Sequence, residues 1–143
     1  MTSRRRVAIV TDSTSDIPEN LIKEFDLTIV PLYVLWGDEQ LVDGVDIDEE
    51  TFFARLPDDP DHPSTSQPTP QDFVEVLSKL EAEEILVIAL SDALSGTYES
   101  ACQACDQLDV PVHVMDSRSL SMGLGWQVLA AARAREQGAD VDV

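Results

Sequence analysis

Four apolar runs along the chain constrain its fold more than any other feature. They are RRVAIVTD at residues 5–12, LTIVPLYVLW at 27–36, EEILVIAL at 83–90 and VPVHVMD at 110–116. Most of them lack the strict alternation of polar and apolar residues that a half-exposed strand shows, which indicates strands buried on both faces. Such strands are typical of a parallel sheet, in which each connection needs a crossover element.

Helical patterns occupy the segments between and after these runs. Apolar residues recur at helical spacing in residues 19–26, 48–56, 70–83, 96–108 and 122–138. Strands that alternate with helices predict the α/β class, here a three-layer α/β/α domain with a doubly wound, mostly parallel sheet of about four strands. Residues 35–48 are interpreted as a turn-rich excursion or short hairpin. Residues 57–70, with five of the eight prolines, are predicted to form a stiff surface loop.

The charge balance excludes several classes of partner. Asp and Glu total 28 against nine basic residues, which gives a formal net charge of −19. Nucleic acids and anionic membranes bind clustered Lys and Arg, so neither is an expected partner. The acidity favours a halophilic protein that works in concentrated salt, with an acidic face for a basic partner as the alternative. No signal peptide or membrane-spanning stretch is visible, and a cytoplasmic location without membrane insertion is expected.

Hydroxyl-rich turns precede several of the predicted helices. They are TDSTSD at residues 11–16, STSQPTP at 64–70, SDALSG at 91–96 and DSRSLSMG at 116–123. The first, third and fourth follow strands, and the carboxyl ends of parallel strands meet at one edge of a sheet. Helix N-termini and hydroxyls there present donors without a charge that must be desolvated. The edge therefore suits a carboxylate or a phosphate.

Helix capping is the competing explanation for these turns. Ser, Thr and Asp are the favoured N-cap residues, so any one of the turns can be read as a cap alone. Capping does not explain their density, because one oxygen per helix suffices while Ser117, Ser119 and Ser121 lie together. Gly96 after Ser95 would also allow a ligand to approach the backbone closely. Both readings stay open from the residues alone.

No catalytic or metal site emerges from the sequence, so an enzyme is not expected and neither is a cofactor. Ser95 lacks a nucleophile elbow, and no phosphate-binding loop or dinucleotide fingerprint is found. His113 is predicted to be packed within a strand, and His62 to be solvated. Cys102 and Cys105 form a C-x-x-C that lies inside a predicted helix, which favours packing over redox chemistry or zinc binding.

Five motifs occur in an order that resembles a known family. They are TDSTSDIP, DGVDID, TSQPTP, LSGTYESA and DSRSLSMGLG, all within residues 7–126. This arrangement resembles the DegV family of fatty-acid-binding proteins. The resemblance implies two α/β domains with a long-chain fatty acid held between them. Residues 1–143 would then be the amino-terminal domain, a fragment that lacks the second lipid-binding domain.

The resemblance also implies the ligand contacts. The family's Thr in T-S-Q-P and Ser in S-G-T-Y contact the carboxylate, and they correspond here to Thr65 and Ser95. Ser66 and the backbone N–H of Gly96 would assist. The remaining hydroxyl turns add three secondary candidates, Ser13, Ser119 and Ser121. The implied partners are a long-chain fatty acid or related lipid and a fatty acid kinase, to which the protein presents its ligand.

One departure from the family pattern concerns the head-group site. The sequence has SDALSG where the family commonly shows S-S-G-L-S-G, so Asp92 brings a negative charge near the expected carboxylate. Two alternatives to the lipid carrier remain. One is a domain that binds small anions or phosphate esters, including a phosphotransfer enzyme. The other is a truncated domain with no ligand function by itself.

Overall fold

The structure, a computed structural model, describes residues 5–142. The strands are β1 (Arg5–Asp12), β2 (Thr28–Val30), β3 (Tyr33–Trp36), β4 (Glu39–Val42), β5 (Ser64–Ser66), β6 (Ala82–Ala89) and β7 (Val112–Asp116). The helices are α1 (Glu19–Glu24), α2 (Glu49–Arg55), α3 (Pro70–Leu77), α4 (Thr97–Cys105) and α5 (Met122–Glu136). No helix in this range is long and apolar enough to cross a membrane.

The central sheet is parallel, with the strand order β2-β1-β6-β7. Its two faces carry separate apolar clusters because successive strand residues point to opposite sides. Ile9 belongs to the cluster that includes residues of α1 and α5, whereas Val10 belongs to the cluster that includes residues of α3 and α4. The predicted three-layer, doubly wound α/β domain is therefore confirmed.

The second predicted strand is two strands, and they lie in different sheets. Residues 28–30 form β2 at the edge of the parallel sheet, while residues 33–36 form β3 in a small antiparallel sheet of order β4-β3-β5. The break falls at Pro31, which has no N–H to donate to a ladder. The excursion that follows is a hairpin of β3 and β4, with Gly37 at a φ of 59° in its turn.

The proline-rich loop also differs from its prediction, because it contains a strand. Residues 64–66 form β5, which pairs with β3 so that Thr65 lies opposite Val34. Prolines at 63 and 68 flank this short edge strand and leave its three residues able to pair. The loop before β5 is fixed by Trp36, whose buried indole N–H donates to the Asp61 carbonyl at 3.1 Å.

Candidate functional site

The turns after β1, β6 and β7 meet at the carboxyl edge of the parallel sheet. The Ser91 N–H donates to the Ser119 carbonyl at 2.9 Å, which joins the turn after β6 to the turn after β7. The Ser121 hydroxyl donates to the Asp16 carboxylate at 2.6 Å, which joins the start of α5 to the turn after β1. The prediction that these three hydroxyl-rich turns come together is confirmed.

Many of the hydroxyl groups at this edge form hydrogen bonds within the protein. The Ser13 hydroxyl accepts from the Leu32 N–H at 3.0 Å. The Thr14 hydroxyl donates to Asp12 Oδ1 at 2.5 Å, and the Ser117 hydroxyl donates to a carbonyl in its own turn at 3.4 Å. We call the four side chains with such partners, Ser13, Thr14, Ser117 and Ser121, the internal hydroxyl set. Two of the secondary candidates, Ser13 and Ser121, belong to it.

The third secondary candidate, Ser119, lies beside α5. Its hydroxyl occupies space that a side chain at residue 123 would need, since a Cβ there would lie 2.2 Å from the Ser119 Oγ. Gly123 therefore accommodates Ser119 where α5 begins. Ser119 is not among the residues that line the pocket between the two sheets.

Asp12 is the buried centre of the internal hydrogen bonds. Only 1% of its surface is exposed, and Oδ2 accepts from the Leu90 N–H at 2.8 Å while Oδ1 accepts from the backbone and hydroxyl of Thr14. Burial raises the pKa of the Asp12 carboxyl, although these donors act in the opposite direction. The carboxylate ties the end of β1 to the end of β6 and so fixes the geometry of the edge.

A pocket of about 380 Å³ opens between this edge and the small sheet. Its polar lining residues are Thr14, Asp43, Thr65, Gln67 and Ser95, and its apolar lining residues are Leu32, Val34, Leu90, Leu94 and Leu120. Thr65 comes from β5 and Ser95 from the turn before α4. The fold thus brings the two predicted carboxylate contacts to one pocket, one from the small sheet and one from the turn that follows β6 of the parallel sheet.

The Thr65 hydroxyl differs from the internal hydroxyl set, whereas the Ser95 hydroxyl is bonded to the neighbouring Thr97. Thr65 makes no side-chain hydrogen bond within residues 5–142. Ser95 Oγ accepts from the Thr97 N–H at 3.3 Å and lies 2.9 Å from the hydroxyl of the fully buried Thr97. When Thr97 also donates its hydroxyl proton, the Ser95 proton is left for a group in the pocket.

The two predicted helpers lie beside Thr65 and Ser95 but not among the pocket's lining residues. Ser66 follows Thr65 in β5, where consecutive side chains point to opposite faces. Gly96 is the N-cap of α4, and its own N–H has no hydrogen-bond partner in the part of the chain that the structure describes. An unpaired N–H at a helix N-terminus is a suitable donor for an anion.

Gln67 lines the same pocket and was not predicted as a site residue. It lies inside the TSQPTP motif, two residues after Thr65, and its amide offers two N–H donors. Asp92, the charged departure from the family pattern, is exposed and is not among the pocket's lining residues. Its N–H donates instead to the Asp116 carboxylate at 3.2 Å.

A smaller pocket of about 280 Å³ adjoins the first and shares Asp43 with it. Apolar side chains from α1, β2 and their flanking residues contribute to its lining, namely Ile17, Ile22, Ile29 and Pro31. Ser13 is one of its polar lining residues, but its hydroxyl is already bonded to the Leu32 N–H. The apolar surface at this edge therefore extends beyond the pocket that holds Thr65 and Ser95.

The remaining reactive side chains lie elsewhere. Burial raises the pKa of Cys105, whose thiol donates to the Ala101 carbonyl, so it is disfavoured as a thiolate nucleophile. His113 is exposed on the edge strand β7, 3.4 Å from Glu84, and is not packed as predicted, because alternate residues of β7 face outward. His62 is exposed as predicted. No group of three or more potential metal ligands occurs among the described residues.

Comparison with known proteins gives a consistent set of relatives. The profile of a family described as an uncharacterised protein of the DegV family matches residues 6–143. A DegV domain-containing protein of Caldanaerobacter subterraneus is 42% identical over 137 residues, which are 94% of this chain and 49% of that protein. A protein of Thermotoga maritima named a fatty acid-binding protein is 34% identical over 142 residues, 96% of this chain and 49% of its own length.

Solved structures agree with these sequence relatives. A DegV family protein from Thermus thermophilus, described for its fatty acid binding, superposes with a TM-score of 0.84 at 34% identity and covers 96% of this chain and 50% of its own. The chain spans about half the length of these relatives. The assignment of residues 1–143 to an amino-terminal domain stays a prediction, and so do the roles of the site residues.

Proposed function

The chain belongs to the DegV family, and on this premise we propose that it binds a long-chain fatty acid or a related lipid. The carboxylate would be held by the hydroxyls of Thr65 and Ser95, with the Gly96 N–H assisting, whereas Ser66 faces the other side of β5 and is not retained as a contact. The hydrocarbon would lie against the apolar side of the same pocket. The proposal covers binding and presentation of the ligand, and it assigns no catalytic group to this chain.

One observation carries this proposal. Thr65 and Ser95 line a pocket whose other lining residues include five apolar side chains, and the Thr65 hydroxyl has no partner in the described residues. Hydroxyls with a proton to donate suit the polar end of an amphiphile, while leucine and valine suit its hydrocarbon. Leu94 and Leu120 are 64% and 50% exposed, so part of this apolar surface is open to a ligand.

The two ends of the ligand would contribute differently to affinity. Burial of a sixteen-carbon chain is worth on the order of 10 kcal/mol at about 0.8 kcal/mol per methylene, before the entropic costs of binding. A hydrogen bond to the head group contributes only about 1–3 kcal/mol. The tail would therefore dominate the affinity, and the head-group contacts would fix the orientation.

Ligand extraction tests the head-group assignment. The protein is purified, its bound lipid is extracted with organic solvent, and the fatty acids are quantified by mass spectrometry for the wild type, Thr65→Ala and Ser95→Ala. Thr69→Ala is the control, because the Thr69 hydroxyl caps α3 and is not among the lining residues. We expect less fatty acid in both site variants and an unchanged content in the control. Unchanged content in both site variants would contradict the assignment.

A thermal-shift comparison separates lipid binding from binding of small anions. Stabilisation by long-chain fatty acids, with none by phosphate esters, is the expected result, since ligand that binds only the folded state raises the melting temperature. Stabilisation by phosphate esters alone would support the small-anion alternative.

Co-purification with an ATP-dependent fatty acid kinase would support the further proposal that the bound acid is presented to such an enzyme.

We further propose that the acidic surface adapts the protein to a salt-rich cytoplasm. A net charge of −19 produces self-repulsion that weakens when salt shortens the range of the electrostatic field. The free energy of unfolding should therefore rise as KCl is raised from about 0.1 M to about 1 M, where the Debye length falls from about 10 Å to about 3 Å. A fall in stability over this range would contradict the proposal.

A further inference from the structure

The backbone on both sides of Gln67 is fixed. On one side, β5 ends at Ser66, which pairs with β3. On the other side, Thr69 and Asp72 form a reciprocal capping box at the start of α3, with N–H to oxygen distances of 2.8 and 3.1 Å. Pro68, which is buried, lies between the two anchors. The Cα atom of Gln67 is therefore fixed at the rim of the pocket, and its side chain extends from there.

The carboxamide of Gln67 lies against the N-cap of α4. A Cβ built at Gly96 would lie 3.0 Å from Gln67 Nε2 and 3.2 Å from Cδ, so the missing side chain of Gly96 provides the space that Gln67 occupies. The amide has no hydrogen-bond partner within residues 5–142. Two N–H donors and one carbonyl acceptor are thus held beside Ser95 without being used by the protein.

We propose that Gln67 is a specificity-determining residue of this pocket, whose amide N–H binds the head group and favours an acid over a neutral lipid. This inference rests on the proposed fatty-acid function. Among the lining residues that this chain contributes none is basic and Asp43 is the acidic one, so the donors that residues 5–142 offer an anionic head are neutral. A bond from an amide N–H to a carboxylate is charge-assisted and stronger than the same bond to an alcohol.

Binding of a matched acid and alcohol tests the proposal. The dissociation constants of hexadecanoic acid and hexadecan-1-ol are measured by displacement of a fluorescent stearic acid from the delipidated protein. Gln67→Ala should weaken binding of the acid about tenfold and leave binding of the alcohol within about twofold, since a bond to a charged group is lost only for the acid. Gln67→Glu should weaken acid binding further, because it replaces two donors with a negative charge.

Gln40→Glu is the matched control for charge. Gln40 is exposed on β4 and is not among the lining residues, so the added charge should change neither constant by more than about twofold. Melting temperatures establish that each variant is folded. Gln67 variants that bind the acid as the wild type does, or that weaken acid and alcohol equally, would overturn the role of Gln67.

Gly96→Ala tests the contact by a second route. The added methyl would press on the Gln67 amide, so we expect weaker acid binding even though Gln67 is retained. In a double-mutant cycle the effect of Gly96→Ala on acid binding should be smaller in the Gln67→Ala background than in the wild type, because the contact with the amide is then absent. Full additivity would contradict this coupling. A wild-type protein that binds no hexadecanoic acid would refute the proposed function itself, an outcome distinct from a wild type that binds and variants that do not differ.

Discussion

The turns at residues 13–16 and 117–121 resemble the segments 64–67 and 95–96 in sequence, yet the two groups use their polar side chains differently. The internal hydroxyl set bonds to backbone and carboxylate groups of its own edge. Thr65 and Gln67 have no such partners in the described structure, and the Ser95 hydroxyl pairs with the Thr97 hydroxyl at 2.9 Å, where either group can be the donor. The hydroxyls of the first group therefore hold the turns of the edge together, whereas the polar groups of the second line a surface that a ligand can reach.

The difference follows from where each segment lies. The turns after β1 and β7 connect strands directly to the elements that cover the sheet, and their backbone N–H and carboxylate groups need partners at close range. β5 belongs instead to the small antiparallel sheet and faces the edge across the pocket. Thr65 and Ser95 therefore lie on different walls of the pocket, and no hydrogen bond joins their hydroxyls within residues 5–142.

The largest effect on stability is expected from Asp12→Ala, which removes the central acceptor of the edge. The buried N–H of Leu90 and the half-buried N–H of Thr14 would lose their partner. Each such loss costs about 1–3 kcal/mol, partly offset by removal of a desolvated charge. We expect the free energy of unfolding in urea to fall by about 3 kcal/mol. Asp12→Asn keeps one acceptor oxygen and should lose less. Wild-type stability in Asp12→Ala would show that the edge does not depend on this carboxylate.

A smaller loss is expected from Ser13→Ala. The N–H of Leu32, a buried residue that follows the break at Pro31, would lose its acceptor, at a cost of about 1.5 kcal/mol in the free energy of unfolding. Ser64→Ala is the control, because Ser64 is exposed and makes no side-chain hydrogen bond in the described residues. The fatty-acid content of both variants should equal that of the wild type. Loss of lipid in Ser13→Ala would show that Ser13 contributes to ligand binding and does not belong with the internal hydroxyl set.

The fold was largely predictable because strands that are buried on both faces appear in the sequence as runs of consecutive apolar residues. The runs that became β1, β6 and β7 contain enough consecutive apolar residues to show a central parallel sheet. The small sheet was not predicted as such, since Ser-Thr-Ser in β5 carries no hydrophobic pattern and pairs only because β3 lies beside it. His113 was misplaced for a related reason, because the sequence does not reveal that β7 is an edge strand of this sheet.

The candidate site was predictable in part. The edge followed from topology, and the choice of Thr65 and Ser95 followed from the family resemblance. Sequence does not show which hydroxyls already have partners, because the partners of Ser13 and Ser121 lie far away along the chain. It also does not show that Gln67 packs against Gly96, a contact between two connections that only the folded chain brings together.

A still smaller loss of stability is expected at Ser121, another member of the internal hydroxyl set. Ser121→Ala removes a hydrogen bond to the exposed Asp16 carboxylate, and we expect a loss of about 1 kcal/mol in the free energy of unfolding. Ser121→Gly removes the same bond, but glycine relieves a backbone held at a φ of 54°. Ser121→Gly should therefore be more stable than Ser121→Ala in thermal unfolding. The reverse order would mean that the backbone at this position is not strained.

The smallest effect on stability, and the sharpest test of the comparison, comes from two threonines of one segment. Thr65→Val keeps a β-branched side chain in an exposed strand and removes a hydroxyl without a partner, so the free energy of unfolding should change by less than about 0.5 kcal/mol. Thr69→Val removes the cap of α3 and should cost about 1 kcal/mol. Fatty-acid content should show the opposite order, with lipid lost from Thr65→Val and kept by Thr69→Val. The Thr65 hydroxyl would then contribute to ligand binding and the Thr69 hydroxyl to folding. Loss of both stability and lipid in both variants would contradict this division.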